Sequence, residues 1–382
     1  MRVLFLDYTN SIGLGGGQRS LSLLLERLGG TRYRPMLACP PGEQMLGLVG
    51  DQVPVFPLPL GAGFRTLSRF DASWRRIPRA AVSSLAAVGR LRSIVASEAV
   101  SLVHANNLKM LLLAAAAAPE QPRVWHVRDI FPESAMMRRL ITLGCKVATK
   151  ILTVSGAVAR QLPDRSKVEV LYNAVELPRG AEPSGERLEK AGPKTIGYVG
   201  RLDPRKGLDT LVDAVRIVRR SDPEVRLLVA GDGPGGAGLD EPFVTRLPFQ
   251  REMEPVWKRI DVAVTPSVEP DAFPRSVIEA MSYAKPVIGA ATGGIPEAIE
   301  HGTNGYLFRP GDAAELAGKL LDMLAAPERA RRMGRAGRLA CERRFSAEAQ
   351  VDQLLGIYDE VLRGQNEIRD SRRRYELPHA GR

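Results

Sequence analysis

The sequence predicts an α/β protein made of two Rossmann-like domains, each built on a parallel β-sheet. Short apolar strands alternate with helical segments along nearly the whole chain, a pattern typical of open parallel sheets. With 382 residues, the chain also exceeds the size of one ordinary hydrophobic core. A stretch rich in proline, glycine and charge, residues 176–193, separates two groups of strands and predicts a linker.

These observations set the domain boundaries that we expect. We place an N-terminal domain at 1–178, a linker at 179–193 and a C-terminal domain at 194–357. A C-terminal helix, residues 358–370, is expected to join the N-terminal domain. Residues 371–382 are expected to form a mobile basic tail.

The first strand, residues 2–7, leads into a glycine-rich loop and a helix. Residues 13–20 read GLGGGQRS, and leucines at helical spacing follow from Leu21 onward. This arrangement puts several backbone N–H groups at a helix N-terminus, where they can bind an anion or approach a substrate closely. The glycine spacing departs from the dinucleotide fingerprint, so the loop does not predict an NAD site.

Further strands of the first domain are expected near residues 35–39, 53–57, 100–104, 123–127 and 151–154. Residues 108–118 are the most apolar segment. They predict a buried helix, because roughly 18 residues are needed to cross a bilayer.

Two histidines, His104 and His126, end strand-like runs of the first domain. A structural role is the better interpretation for a lone histidine such as His104. Arg128 and Asp129 follow His126 closely and could orient its ring or a substrate, which favours a functional role for His126.

A basic segment with aromatic residues lies between residues 64 and 92. It could dock on an anionic membrane leaflet, and an arginine-rich, solvated helix face is the alternative. The aromatic residues are Phe64, Phe70 and Trp74, and the arginines are Arg65, Arg69, Arg75, Arg76, Arg79, Arg90 and Arg92.

The charge of the chain favours anionic partners. Its formal net charge is +11 and its isoelectric point is near 9.8, as expected for a protein that binds nucleic acid, phosphorylated metabolites or an anionic membrane. Only 5% of the residues are aromatic, and no run alternates aromatic with basic residues, which argues against nucleic acid.

The three cysteines, Cys39, Cys145 and Cys341, lie far apart without the spacing of a metal site. They predict buried free thiols in a reducing compartment. The apolar run at the N-terminus is too short for a signal peptide. We therefore expect a cytoplasmic protein, peripheral on the inner face of the cell membrane if the basic segment docks there.

In the second domain, the strand at 195–200 leads into a helix through the turn RLDPRKG. Arg201 and Lys206 flank this turn at the ligand-binding edge of the predicted sheet. Two cations at that edge can neutralise a diphosphate, although ordinary surface cations are the alternative.

The stretch 265–294 reads TPSVEPDAFPRSVIEAMSYAKPVIGAATGG and predicts the loop, helix and second strand of a parallel βαβ unit. The helix should begin at Pro274, since the fixed φ of proline suits a first helical turn. Asp271 and Phe273 fall in the loop before this helix, and Glu279 lies one turn inside it. These residues could meet a ligand that is phosphorylated and rich in hydroxyls, while a solvated surface loop is the alternative.

Several segments together resemble the retaining, nucleotide-sugar-dependent glycosyltransferases of group 1, which have the GT-B fold and an E-x7-E signature. The matching segments occur in family order across nearly the whole chain. They are GGGQRSL, VWHVRD, LYNAVEL, GYVGRLDPRKGLDTLVDA, LLVAGDGP, IDVAVTPS, DAFPRSVIEAM and PVIGAATGGIPEAI.

This resemblance implies two Rossmann-like domains whose parallel sheets face each other across a cleft, with the donor held mostly by the C-terminal domain. It assigns diphosphate binding to Arg201 and Lys206 and ribose binding to Glu279. His126, Asp271, Arg201 and Lys206 would be the catalytic residues. The donor site would also contain Gly16, Gly17, Phe273, Pro274, Arg275 and Ser276, and the acceptor side Gln18, Asn106 and Arg128.

Two residues depart from the family pattern. Asp271 replaces the first glutamate of the signature and has a shorter side chain. Glu269, two residues earlier, is a competing candidate, and we prefer Asp271 because it keeps the x7 spacing from Glu279. Gln18 replaces an acid often found after the glycines.

The resemblance implies a metal-independent enzyme without a cofactor, since Arg201, Lys206 and a helix N-terminus can stabilise the leaving diphosphate. The expected reaction moves a sugar, with retention, from a UDP- or GDP-sugar to an acceptor hydroxyl of a lipid-linked, polysaccharide or small molecule. A sugar-nucleotide epimerase and a non-catalytic nucleotide-sugar-binding module are the alternatives.

Overall fold

The computed structural model describes residues 1–8, 15–41, 49–50, 52–65, 82–178, 192–235 and 239–376. The chain forms two compact units. The first contains Met1–Val154, Val158–Leu171 and Gln350–Arg382, and the second contains Ser155–Ala157 and Tyr172–Ala349. Most of the linker that we predicted, residues 179–191, lies outside the described residues.

The first unit is built on a sheet of seven parallel strands in the order β3-β2-β1-β4-β5-β6-β7. Strands β1, β2 and β4–β6 are buried over nearly their whole length, as expected where both faces of a parallel sheet are covered. The strands are β1 (Arg2–Leu6), β2 (Arg34–Cys39), β3 (Val55–Pro57), β4 (Leu102–Ala105), β5 (Arg123–Val127), β6 (Lys150–Thr153) and β7 (Val168–Val170).

The strands of this sheet are connected mainly by helices. They are α1 (Gly16–Leu28), α2 (Ala62–Arg65), α3 (Leu85–Ser97), α4 (Leu108–Ala117), α5 (Ala135–Val147) and α6 (Gly156–Ala159). Asn107 caps α4, since its side chain accepts a hydrogen bond from the backbone N–H of Met110. The predicted helix at 108–118 is therefore present and largely buried.

The second unit is built on six parallel strands in the order β10-β9-β8-β11-β12-β13. The strands are β8 (Thr195–Val199), β9 (Arg226–Ala230), β10 (Val244–Leu247), β11 (Val262–Thr265), β12 (Val287–Ala290) and β13 (Gly305–Phe308). The helices are α7 (Leu208–Val218), α8 (Glu254–Arg259), α9 (Arg275–Ser282), α10 (Ile295–Ala298), α11 (Ala313–Ala325) and α12 (Pro327–Ala340).

Among the elements of the second unit that the sequence patterns miss are β13 and α12. Strand β13 has only four residues, of which the first is a glycine, and an Arg-Pro pair follows it, so we interpreted it as part of a turn. Helix α12 buries Ala330, Met333, Gly334 and Gly337, so its buried face has a single large apolar residue. A Cβ on Gly334 would lie 2.1 Å from the carbonyl oxygen of Ala284. Close packing therefore removes the apolar periodicity by which helices are recognised.

The last helix, α13 (Ala347–Glu376), has 30 residues and belongs mostly to the first unit. Its buried residues join the core that surrounds β1 and β2. These residues are Val351, Leu354, Ile357, Tyr358 and Val361. The helix continues to Glu376, so the first residues of the predicted mobile tail are helical, and residues 377–382 lie outside the described residues.

The three cysteines are free and buried, as predicted. None of the helices in the described ranges combines the length and the apolar character needed to cross a membrane.

The packing of α13 can be tested with Leu354→Ala. Leu354 is fully buried, so the truncation should lower the free energy of unfolding by about 2–5 kcal/mol. The control is Leu143→Ala, whose side chain belongs to the same unit but is 45% exposed. Urea unfolding of the full chain measures both variants, and equal losses would contradict the assignment of α13 to the core.

Candidate functional site

Both sheets place a ligand-binding position beside their first strand. In each, the chain moves outward on one side of the first strand and then returns to the other side, between β1 and β4 and between β8 and β11. At such a reversal the neighbouring loops diverge, and ligands bind at the carboxyl ends of the strands. Most of the predicted site residues follow these strands or their neighbours.

In the second unit, the loop after β8 is held rigidly. The phenol of Tyr198 donates a 2.6 Å hydrogen bond to the carbonyl of Arg201, and Asp203 caps the turn Pro204–Lys206. Gly207 follows with a φ of +69°, and a Cβ here would lie 2.0 Å from the carbonyl oxygen of Pro266. Glycine therefore lets the loop after β8 lie against the end of β11.

Three basic side chains occupy this loop. Arg201 is exposed. Arg205 is bound by Asp203 at 2.7 Å, and this guanidinium lowers the pKa of Asp203 to about 2. The ammonium group of Lys206 contacts the carboxylate of Asp271, and both side chains are partly buried. The structure thus brings together two of the predicted catalytic residues, Lys206 and Asp271, from loops that follow neighbouring strands.

The loop that carries Asp271 rests on the glycine pair after β12. Gly293 has a φ of +58°, and a Cβ on it would lie 2.0 Å from the carbonyl oxygen of Asp271. The backbone N–H of Gly294 donates a 2.8 Å hydrogen bond to that same carbonyl. The two glycines therefore hold the backbone of Asp271 in place through close packing and a hydrogen bond.

Helix α9 begins after Pro274, as predicted, and carries Arg275, Ser276 and Glu279. The Nε of Arg275 donates a 2.6 Å hydrogen bond to the Glu279 carboxylate, and both side chains are about 15% exposed or less. The predicted ribose ligand thus has an intrahelical partner. Ser276 is partly buried in the first turn of the helix.

The ring of Phe273 is 3% exposed and packs against two other aromatic rings. Its centroid lies 5.0 Å from that of Tyr172 and 5.4 Å from that of Phe345. The side chain that we assigned to the donor site is therefore part of the hydrophobic core. The backbone of this loop is also held, since the amide of Asn173 donates to the Phe273 carbonyl at 3.0 Å.

In the first unit, the glycine-rich loop ends at the N-terminus of α1. Gly16 and Gly17 are exposed there, and a Cβ on Gly17 would meet no described atom within 4 Å. The Gln18 side chain is 6% exposed and accepts a 2.6 Å hydrogen bond from the backbone N–H of Gly15. Gln18 therefore caps its own helix, a role that differs from the predicted contact with the acceptor.

A polar cluster lies on one face of the first sheet, at the ends of β4 and β5. Arg128 donates to the Asn106 side-chain oxygen at 3.4 Å and to Nδ1 of His126 at 3.3 Å. Nε2 of His104 lies 3.2 Å from the same Nδ1 atom. The structure brings together three predicted residues, His126, Asn106 and Arg128, and adds His104.

The two histidines of this cluster are fully buried. Burial and the positive charge of Arg128 both hold the pKa of His104 and of His126 well below the ordinary value. Both rings are therefore neutral at physiological pH. The side-chain nitrogen of Asn106 and Nε2 of His126 are buried and have no hydrogen-bond partner among the described residues.

Asp7 is a residue of this cluster that the sequence analysis missed. It follows β1 directly, is 8% exposed, and interacts electrostatically with Arg128. Burial raises the pKa of Asp7 to about 6, and Arg128 opposes this increase. An acid at the carboxyl end of the first strand, just before the glycine-rich loop, was the signal that could have revealed it.

Within the described part of the chain, no three histidine, cysteine or acidic side chains are grouped as a metal site would require.

The raised pKa of Asp7 predicts a specific dependence of stability on pH. Between about pH 4 and 6 the folded protein keeps a proton that the unfolded chain loses, so the free energy of unfolding decreases as pH rises through this window. Asp7→Asn should remove up to about 3 kcal/mol of this decrease. Urea unfolding of both proteins across the window measures it. Equal slopes in both proteins would contradict the burial of an uncompensated acid.

Comparison with known families shows two consecutive matches. A model described as glycosyltransferase family 4 matches residues 14–179, and one described as glycosyl transferases group 1 matches residues 193–326.

Two relatives are D-inositol 3-phosphate glycosyltransferases. That of Segniliparus rotundus is 34% identical over 220 residues, which are 53% of this chain and 49% of that protein. That of Mycolicibacterium smegmatis is 29% identical over 310 residues, which are 74% of this chain and 66% of that protein. The chain thus spans about half to two thirds of the length of these curated relatives.

Solved structures share the fold over nearly the whole chain. HepE of Anabaena, in complex with UDP, has a TM-score of 0.76 at 22% identity and covers 94% of this chain and 100% of its own. Sucrose-phosphate synthase of Thermosynechococcus elongatus has a TM-score of 0.74 at 18% identity and covers 95% and 99%. The solved structures thus show that the chain has the GT-B fold. The two family matches, which follow one another along most of the chain, show that it belongs to the group 1 glycosyltransferases.

Proposed function

We propose that the protein transfers a sugar from a nucleoside diphosphate sugar to an acceptor hydroxyl, with retention of configuration. The contact between Lys206 and Asp271 beside the first strand of the second unit carries this proposal. A cation and an acid at that position match the two parts of such a donor, since a diphosphate is anionic and a sugar offers hydroxyl donors.

The donor would bind by exchanging partners at this contact. In the absence of ligand, Asp271 compensates the charge of Lys206, which lowers the cost of keeping both groups partly buried. A diphosphate would take over the ammonium group and leave Asp271 free to accept hydrogen bonds from the sugar. Arg201, which is exposed on the same loop, would bind the second phosphate with its planar guanidinium.

Glu279 would accept hydrogen bonds from the ribose. Its ion pair with Arg275 keeps the carboxylate in place on α9, so little side-chain entropy would be lost on binding. Phe273 would not touch the donor with its ring, which is buried. Its contribution would be to anchor the Asp271 loop through packing with Tyr172 and Phe345.

UDP is the nucleotide that we favour, because HepE was solved with UDP and with UDP-glucose. A GDP-sugar remains the second donor to test. The reaction would need no metal or cofactor, since Arg201 and Lys206 can stabilise the charge of the leaving diphosphate. Transfer should therefore proceed at an unchanged rate in excess EDTA, and loss of turnover that Mg²⁺ restores would refute this part of the proposal.

The acceptor would bind to the first unit, where Asp7, Asn106, His126 and Arg128 provide both donors and acceptors of hydrogen bonds. D-inositol 3-phosphate is the first compound to test, because two relatives carry it in their names. Lipid-linked and polysaccharide acceptors follow. The basic segment 64–92 would bring a lipid-linked acceptor close by docking on an anionic membrane.

Lys206→Ala and Glu279→Ala test the donor site. Each removes a hydrogen bond from a charged group, so each should weaken UDP-glucose binding by about 10–100-fold. Lys258→Ala, which removes a lysine that is 71% exposed, should bind like the wild type. Calorimetry with UDP-glucose and GDP-sugars measures affinity, and transfer assays measure turnover. Full activity of both site variants would refute the assignment.

The products of these assays separate the alternatives. Conversion of the donor to an isomeric sugar nucleotide without acceptor would identify an epimerase. Tight binding without any turnover would identify a non-catalytic module.

Membrane docking makes a separate prediction. Val82 and Leu85 are 69% and 65% exposed, and Arg90, on the same helix as Leu85, is also exposed. Phe64, by contrast, is 8% exposed and packs near Tyr8. The expectation that its ring is exposed for docking is therefore wrong. Arg69, Phe70, Trp74, Arg75, Arg76 and Arg79 lie outside the described residues, and so does the side chain of Arg65.

The protein should co-sediment with anionic liposomes. Changing Arg75, Arg76 and Arg79 to alanine should abolish this binding, since each cation near the surface contributes about 1 kcal/mol. Neutral liposomes serve as the control. If the intact protein does not bind anionic liposomes, docking is ruled out.

A further inference from the structure

A chain of hydrogen bonds runs from the last helix of the protein to the candidate site of the first unit. The phenol of Tyr358 on α13 lies 2.6 Å from Nδ1 of His104 on β4. Nε2 of His104 lies 3.2 Å from Nδ1 of His126 on β5. All three side chains are fully buried, so solvent does not compete for these hydrogen bonds.

Arg128 determines which atom donates and which atom accepts in each of these hydrogen bonds. Its guanidinium can only donate, and one of its nitrogens lies 3.3 Å from Nδ1 of His126. Nδ1 of His126 must therefore accept, and the single proton of this neutral ring is on Nε2.

The same reasoning extends to the other members. Because Nδ1 of His126 carries no proton, Nε2 of His104 must carry one and donate it. Nδ1 of His104 is then an acceptor, and the hydroxyl of Tyr358 is its donor. The opposite direction would place a protonated Nδ1 of His126 against the guanidinium of Arg128, which would oppose two donors.

This chain of hydrogen bonds ends at a donor that has no partner in the described part of the protein. Nε2 of His126 is buried and meets no hydrogen-bond acceptor among the described residues. The side-chain nitrogen of Asn106, also a donor, is in the same state. His126 and Asn106 lie on the same sheet face, because Ala105 pairs with Trp125 and each of the two residues is one position further along its strand.

We propose that Tyr358 and His104 are positioning residues that, together with Arg128, hold His126 in the Nε2–H tautomer, so that it donates a hydrogen bond to a ligand oxygen. In this tautomer Nε2 has no free lone pair, and Nδ1 is occupied by His104 and Arg128. His126 therefore does not act as a general base. The identity of the ligand oxygen as a sugar or acceptor hydroxyl rests on the proposed function, but the tautomer does not.

The tautomer can be measured directly by ¹⁵N NMR of the full-length protein labelled in its four histidines. Nitrogens with and without a proton differ strongly in chemical shift, and His104→Met and His126→Gln variants assign the signals. We expect a proton on Nε2 and none on Nδ1 in both His104 and His126 at neutral pH. A proton on Nδ1 of His126, or a doubly protonated ring, would overturn the proposal whether or not the protein proves to be a transferase.

Tyr358→Phe tests the far end of the chain. Without the phenol, Nδ1 of His104 loses its donor, and the His104 signals should show a mixture of tautomers. Tyr33→Phe is the matched control. The ring centroid of Tyr33 lies 5.2 Å from that of Tyr358. The Tyr33 hydroxyl, however, donates to Asp359 and takes no part in the hydrogen-bond chain through His104. An unchanged His104 in Tyr358→Phe would show that Tyr358 does not set the tautomer.

Substitutions of His104 test the effect on turnover. His104→Met removes the donor to His126 and should lower kcat/KM about tenfold, since a neutral hydrogen bond contributes about 0.5–1.5 kcal/mol. The side-chain amide of His104→Gln can donate in place of Nε2 and should restore most of the loss. Equal activity of the two variants would refute the positioning role. If no variant or wild type transfers sugar, the proposed function fails while the NMR result still decides the tautomer.

Discussion

The structure depends on a geometric constraint, that all strands of each sheet run parallel. Their carboxyl ends therefore meet along one edge, and the loops diverge where the strand order reverses beside the first strand. Asp7 and Asn106 flank this reversal in the first unit. Lys206 and Asp271 flank it in the second. The polar groups that could react or bind are thus collected by topology, although they are distant in sequence.

Several charged side chains at these edges are partly buried, so the free energy of each ion depends on the charges that lie next to it. At the edge of the second sheet, two pairs of partly buried ions lie in contact, Lys206–Asp271 and Arg275–Glu279. Such pairs contribute little net stability, because the desolvation of both ions offsets their attraction. Their value is that an anionic ligand can pair with the cation and leave the carboxylate free to accept hydrogen bonds from hydroxyl groups of the same ligand. Asp7 is different, since its raised pKa shows that Arg128 does not fully compensate its burial.

The sequence predicted the parts that follow from periodicity and local geometry. Most strands of both sheets, the start of α9 after Pro274 and the burial of α4 agree with the apolar patterns. The pattern could not predict β13 or α12, because a four-residue edge strand and a buried helix face that contains two glycines carry little periodic signal. The roles of individual side chains were also beyond it. That Phe273 packs into the core, that Gln18 caps α1 and that Tyr358 reaches His104 all depend on which distant residues the fold brings into contact.

The membership of α13 in the first core has a consequence for the synthesis of the protein. Val351, Leu354, Ile357 and Tyr358 pack around β1, which is translated before the second unit, but they are themselves translated after it. Part of the apolar surface of the first sheet therefore stays exposed while the whole second unit is translated. The first unit is then completed after the second, and a chain that stops at residue 349 would contain the whole second unit and a first unit that still exposes its core.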